Sequence, residues 1–270
     1  MMEPDQLNLA RADDTSSGKG AMPEEMMDKT NGNPGAPGAE RPVLKVQDDL
    51  WAEALSLAAV VESTFATSVM ALCHHRPELA GEVKAGEREI DRREVAIEKE
   101  CLRVLALYEP VASDFRRVLT ILRVNRDLER IGDLAARIAK RAKKLARQPR
   151  PVPIPEPLEA LAEAAMLSLR DALNSLVNRD ALSGRSVIAS DHRLDEYRRT
   201  VRAGLKEAIR RDVDRIEDWL MLMDVARHLE RVGDHAAGIA ESVIYLKEGR
   251  IIRHDGGLRR NRFVDPDASS

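Results

Sequence analysis

The amino-acid sequence predicts an all-α protein built as two tandem, pseudo-symmetric three-helix bundles. Three observations carry that expectation. Apolar residues recur at helical spacing over six long segments, the last segment of each half contains a nearly duplicated stretch, and a proline-alternating segment divides the halves. Aromatic residues make up only 3% of the 270 positions, so the core must come from Leu, Val, Ile and Ala, which suits packed helices better than sheets.

The elements follow in order. Residues 1–45 are rich in Gly, Pro, Asn, Ser and acidic side chains without sustained periodicity, and are expected to form a disordered tail. The first repeat spans 46–148. Asp48 or Asp49 can cap a helix through Leu50, Leu57, Val61 and Phe65 to about His74, where Arg76-Pro77 interrupts. A second helix runs from about Pro77 to Tyr108 on the stripe Ile90, Ile97, Cys101 and Val104, and Glu109-Pro110 ends it. A third runs from about Val111 to Leu145. Between 149 and 157 every second residue is proline, which a helix cannot hold and an extended spacer can. The second repeat, 158–253, reads as helices over about Leu158–Arg179, Ser183–Arg210 and Asp214–Glu248, the last capped at Gly249. Residues 254–270 are polar and expected to be loose.

Composition excludes several classes. The net charge of −3 gives no polycation for direct nucleic-acid binding. Cys73 and Cys101 have neither a disulfide framework nor metal-type spacing, and read as reduced thiols. The first residues lack the basic-then-apolar pattern of a secretory signal, and no uninterrupted apolar run is long enough to span a bilayer, so a cytoplasmic location is expected. No phosphate-binding glycine loop, GxSxG, HExxH or Cys/His nucleophile pair is visible.

Shifting the sequence by 101 residues lays Arg126–Ala139 on Arg227–Ala240 with ten of fourteen positions identical, centred on LERIGD and LERVGD. At a shift of 104, Glu87, Ile90 and Asp91 fall on Asp191, Leu194 and Asp195. On a helical wheel Leu128, Ile131, Leu134, Ala135 and Ile138 gather on one side. Glu129 and Asp133 stack at i,i+4 roughly opposite, with Gly132 leaving the surface beside them bare. Glu230 and Asp234 repeat this arrangement, while Glu87–Asp91 and Asp191–Asp195 form i,i+4 pairs on the preceding helices.

Such pairs repel in water, and a cation reverses the sign. Oxygen-only donors favour hard or intermediate ions such as Mg, Mn or Fe over Zn. The competing reading is a solvated face laced with ion pairs, since Arg126, Arg130 and Arg137 are within helical reach of Glu129 or Asp133. A metal-dependent enzyme using these surface clusters is the alternative from another functional class. The basic run Arg137, Lys140, Arg141, Lys143, Lys144 and Arg147 either complements a helix C-terminus or docks an acidic partner.

The doubled LERIGD/LERVGDHAAGIAE motif, with PVASDFR at Pro110–Arg116 and VIYLKEG at Val243–Gly249, resembles the PhoU family over roughly residues 46–250. The resemblance implies a cytoplasmic, non-enzymatic negative regulator of the phosphate-starvation (Pho regulon) response. Such a regulator couples the ATPase subunit of a phosphate ABC transporter to a sensor histidine kinase, is commonly a homodimer, and is peripheral to the membrane only through its partners. It also implies metal binding by E/D-x-x-x-D pairs, here Glu87, Asp91, Glu129 and Asp133, then Asp191, Asp195, Glu230 and Asp234. Two departures are visible: Leu134 stands where copy two has His235, and copy two lacks a PVASDFR equivalent.

Overall fold

The structure, a computed structural model, describes residues 42–252; the tails expected over 1–45 and 254–270 lie, apart from 42–45, outside the described residues. Every regular element among the described residues is helical. Helix α1 (Pro42–Cys73), a short 3-10 turn (Pro77–Leu79), α2 (Ala80–Tyr108) and α3 (Ala112–Leu145) make the first repeat. Helices α4 (Glu156–Asn178), α5 (Ala181–Ser190), α6 (His192–Arg211), a 3-10 turn (Val213–Arg215) and α7 (Ile216–Glu248) make the second. Within each repeat the helices pack on the motif-bearing one, and α3 and α7 pack on each other, so one continuous core runs through both.

Helix α1 starts at Pro42, several residues before the two candidate caps, Asp48 and Asp49. Proline fits a first turn because that turn has no use for its missing N–H. From Leu44 to Cys73 this helix is long and apolar enough to cross a membrane by length and composition. Its apolar face is used in the bundle instead: Leu50, Ala54, Leu57, Val61, Phe65 and Leu72 are all buried. The α1–α2 turn follows from Arg76-Pro77, and α2 ends at Glu109 in the left-handed region (φ 42°), just before Pro110. Helix α7 ends at Gly249 (φ 69°), whose N–H donates to the Tyr245 carbonyl at 2.9 Å, the glycine cap expected from sequence.

Two elements differ from the sequence expectation. The segment read as one helix over Ser183–Arg210 is two, broken at Asp191. There the Ser190 hydroxyl donates to the Val187 carbonyl at 2.9 Å, and His192 Nδ1 lies 2.8 Å from the Ala189 carbonyl, so side chains take acceptors the helix would use. Asp180 caps α5, accepting from the Leu182 N–H at 2.9 Å. The proline segment is non-helical only as far as Pro155, which is extended (φ −67°, ψ 140°); Glu156 and Pro157, read as spacer, open α4, where proline fits a first turn. The segment is also fastened down rather than held away: Val152 is buried in the core, and Arg215 Nη2 donates to the Pro151 carbonyl at 3.1 Å.

The glycine of the repeated hexapeptide is a packing position. A Cβ on Gly132 would lie 2.9 Å from Ile90 Cδ1 and 3.2 Å from its Cγ2, and one on Gly233 would lie 2.6 Å from Leu194 Cδ1. Both glycines are buried, which corrects the wheel-based placement beside bare surface. The wheel gave the phase about the helix axis but not the neighbour: α2 crosses α3 over Gly132, as α6 crosses α7 over Gly233. Glycine permits that close approach because it carries no side chain.

Candidate functional site

Because α2 lies over Gly132, the carboxylates flanking it stand in the groove between the two helices. Glu129 and Asp133 keep 24% and 28% of their side-chain surface and Glu230 19%, so these three are half-buried rather than turned fully outward, whereas Asp234 is exposed. The wheel placed them opposite the core stripe, but the neighbouring helix covers part of that side.

The electrostatics tie the pairs together within each repeat. Burial raises the Glu87 carboxyl above its ordinary range, and the charges of Asp91 and Asp133 raise it further. Asp91 is raised by burial and by Asp133. Glu129 is raised by burial; Arg130 opposes, and Asp133 and Asp91 add to the rise. In the second repeat Glu230 is raised by burial against Arg198, with Asp234, Asp195 and Asp191 all contributing repulsion. The structure therefore brings Glu87, Asp91, Glu129 and Asp133 into one acidic groove, and Asp191, Asp195, Glu230 and Asp234 into another.

Sequence reading missed one member. Glu94 is raised by burial and by the charges of Glu98, Glu129 and Asp91, which places it in the first groove. Asn125 holds this side, its Nδ2 donating to the Glu94 carbonyl at 2.9 Å and to its Oε1 at 3.4 Å. The duplication carried the signal: at the same shift of 104 that relates Glu87 to Asp191, Glu94 falls on Arg198. Arg198 Nε sits 2.9 Å from Glu230 Oε1. One copy thus adds a carboxylate where the other supplies a cation.

Arginines partly compensate the first groove as well. Arg130 lies 3.3 Å from Glu129 and 3.5 Å from Asp133, and Arg137 3.8 Å from Asp133. These contacts are long, on exposed guanidiniums, and of the kind worth little in water. Of the two histidines adjacent to the candidate carboxylates in copy two, His192 points to the Ala189 carbonyl, and His235 Nδ1 lies 3.0 Å from Asp127 Oδ1 across the α3–α7 seam. Both thiols are pushed up by burial, Cys73 to about 11 and Cys101 to about 12, so neither supplies a thiolate.

The donor set fits a hard cation by chemistry: carboxylates raised above their ordinary range by burial and then by one another's charge, with no thiolate among them. No three His, Cys, Asp or Glu side chains among the described residues converge closely enough to hold a metal ion.

Comparison with known proteins places this arrangement. A family model described as the PhoU domain matches twice, over residues 54–142 and 158–243, one match per repeat. The phosphate-specific transport system accessory protein PhoU homolog of Deinococcus radiodurans is 37% identical over 199 residues, covering 73% of this chain and 92% of that protein. The phosphate-specific transport system accessory protein PhoU of Escherichia coli is 30% identical over 219 residues, covering 80% and 90%. The crystal structure of PhoU from Pseudomonas aeruginosa superposes with a TM-score of 0.73 at 31% identity, covering 77% of this chain and 99% of that one. With both repeats matched and nearly the full length of such relatives covered, the chain belongs to the PhoU family.

Proposed function

We propose that this chain is a cytoplasmic accessory regulator of phosphate uptake, not an enzyme. It acts as a homodimer that couples the ATPase subunit of a phosphate ABC transporter to a sensor histidine kinase and holds the phosphate-starvation response off when phosphate is plentiful. The reading is supported by the relatives' designation as accessory proteins of phosphate-specific transport and by the acidic groove present in both repeats. Deleting the gene should raise starvation-gene expression in high phosphate; unchanged low expression after deletion refutes the regulatory role. A pull-down comparing the natural protein with a Glu129→Ala/Glu230→Ala variant tests the partners. Loss of the ATPase subunit or the kinase from the variant's eluate ties the grooves to docking.

The grooves are also read as sites for Mg, Mn or Fe. Glu87, Asp91, Glu94, Glu129 and Asp133 would hold the ion in the first repeat, and Asp191, Asp195, Glu230 and Asp234 in the second. The ion would draw together carboxylates that repel without it. Elemental analysis of protein purified without chelators measures occupancy, and a metal-free preparation that still captures both partners would separate regulation from metal.

A further inference from the structure

The α3–α7 seam has two ends, and the duplication makes each a reference for the other. At a shift of 101, Asp127 on α3 corresponds to His228 on α7, and His235 on α7 to Leu134 on α3. At one end the polar groups are satisfied within the seam: Asp127 meets His235 at 3.0 Å, and Arg123 stacks on the Tyr245 ring at 4.5 Å. At the other end Leu134 has no polar group to offer. His228, only 5% exposed, is left with an Nδ1 that has no hydrogen-bond partner.

That second end is an open cavity of about 360 Å³ lined by Arg137, Lys140, Arg141 and Lys144 of α3 and by Asp224, Arg227 and His228 of α7. Arg141 is neutralised by Asp224 at 2.7 Å and Arg137 keeps its long contact to Asp133 at 3.8 Å, leaving Lys140, Lys144 and Arg227 facing one space without a carboxylate in ion-pair range among the described residues. The corresponding positions at the closed end are Gly238, Glu241, Ser242 and Tyr245 on α7 with Arg123, Arg126 and Asp127 on α3, where two acids balance two arginines. Two copies of one ancestral seam have therefore diverged, one toward internal neutrality and the other toward a cationic hollow whose carboxylates balance only part of its charge. Cations in the last turn of α3 complement its dipole, but that explains neither Arg227 on the other helix nor the cavity.

We propose that this hollow binds an anion carrying two or more phosphoryl groups. Its length selects the class. From Arg137 to Lys144 the helix advances roughly 10 Å at ~1.5 Å per residue, about twice the breadth of one phosphate. Guanidinium forks at Arg137 and Arg227 suit phosphoryl oxygens, and the ammoniums of Lys140 and Lys144 supply point charge between α3 and the solvent. An acidic peptide strand, whose carboxylates on one face recur only every ~7 Å, places too few charges in that span. The shared chemistry, a chain of phosphoryl groups, occurs in inorganic oligophosphate and in nucleoside triphosphates.

Isothermal titration of the full chain at near-physiological salt, with tripolyphosphate, ATP, orthophosphate and citrate as separate titrants, tests the proposal. Tripolyphosphate or ATP is expected to bind measurably tighter than orthophosphate and citrate, and the tighter of the two identifies the source. A Lys140→Glu/Lys144→Tyr variant installs residues this chain already carries at Glu241 and Tyr245, so its helix should form. It is expected to lose roughly tenfold or more in affinity with its melting temperature nearly unchanged. Lys99→Glu, an exposed charge reversal on α2, is expected to lose little. The proposal is overturned if tripolyphosphate and ATP both fail to bind, if citrate binds as tightly, or if Lys99→Glu weakens binding as much as the double change.

Discussion

Replacing Gly132 by alanine tests the claim that the repeated glycine exists to admit a neighbouring helix. The added Cβ would lie 2.9 Å from Ile90 Cδ1 and 3.2 Å from Cγ2, against ~3.5–4.0 Å for a comfortable carbon contact. Ile90 is fully buried and β-branched, so its Cγ2 cannot swing away without an unfavourable rotamer. Overpacking of this kind costs about 1–3 kcal/mol. Alanine's helix propensity returns ~1 kcal/mol. Gly204 in α6 isolates that second effect, since nothing lies within 4 Å of its would-be Cβ. Gly204→Ala should raise stability by about 0.5–1 kcal/mol, and Gly132→Ala should fall below it by roughly 1–3 kcal/mol, or about 3–10 °C in melting temperature. Gly233→Ala should fall between them, because only the end methyl of Leu194 is close there and a leucine can turn. Thermal and urea denaturation of the three variants provide the measurement. Adding Ile90→Val, which removes the nearest methyl, should recover part of the loss in the Gly132→Ala background. Equal stabilisation by Gly132→Ala and Gly204→Ala would refute the packing account.

The remaining predictions concern charge. Glu94→Gln with Glu129→Gln should raise the melting temperature near pH 7, because both carboxyls are held above their ordinary range by burial and by neighbouring acids, so their ionised forms oppose folding. Under the metal reading the same variant should lose most of any stabilisation conferred by added Mn or Mg, measured by thermal shift; a full gain in the variant places the ion elsewhere. His228 is held down to about 4, first by burial, with Arg227, Arg137 and Arg141 adding to the effect and Asp224 opposing it. The unfolded chain therefore takes up this proton first, and stability is lost as pH falls from about 6.5 toward 4. The ceiling is about 3 kcal/mol, reduced to about 1–2 by solvent in the adjoining cavity. The difference between His228→Gln and the natural protein across that window, from chemical denaturation, isolates the effect; parallel pH profiles would refute it. Asp127→Ala removes the partner of His235 across the seam and should cost no more than about 1 kcal/mol, since both side chains keep roughly a fifth of their surface.

Much of this protein was legible in its sequence, because periodicity and duplication are one-dimensional signals. The stripe Ile90, Ile97, Cys101 and Val104, the breaks at Pro77 and Pro110, and the cap at Gly249 each depend on residues within a few turns of themselves. The split at Asp191 was less legible, since it depends on which rotamers Ser190 and His192 take. The repeat identified Glu87, Asp91, Glu129, Asp133 and their four counterparts before any fold was known, and comparison of the copies would also have exposed Glu94 against Arg198. The wheel misread Gly132: it assigns each residue a direction but says nothing of what lies there.

Tertiary structure alone decided the neighbours. Only the crossing of α2 over α3 turns Gly132 from bare surface into a contact with Ile90 and draws the acids on either side into one groove. Only the packing of α3 along α7 sets Asp127 against His235 while leaving His228 unpaired beside a cationic hollow. Sequence determined which residues share a helix face, because helix geometry is fixed locally. Which faces meet depends on contacts between residues 42 positions apart, as for Ile90 and Gly132, or 108 apart, as for Asp127 and His235, and no local pattern encodes those distances.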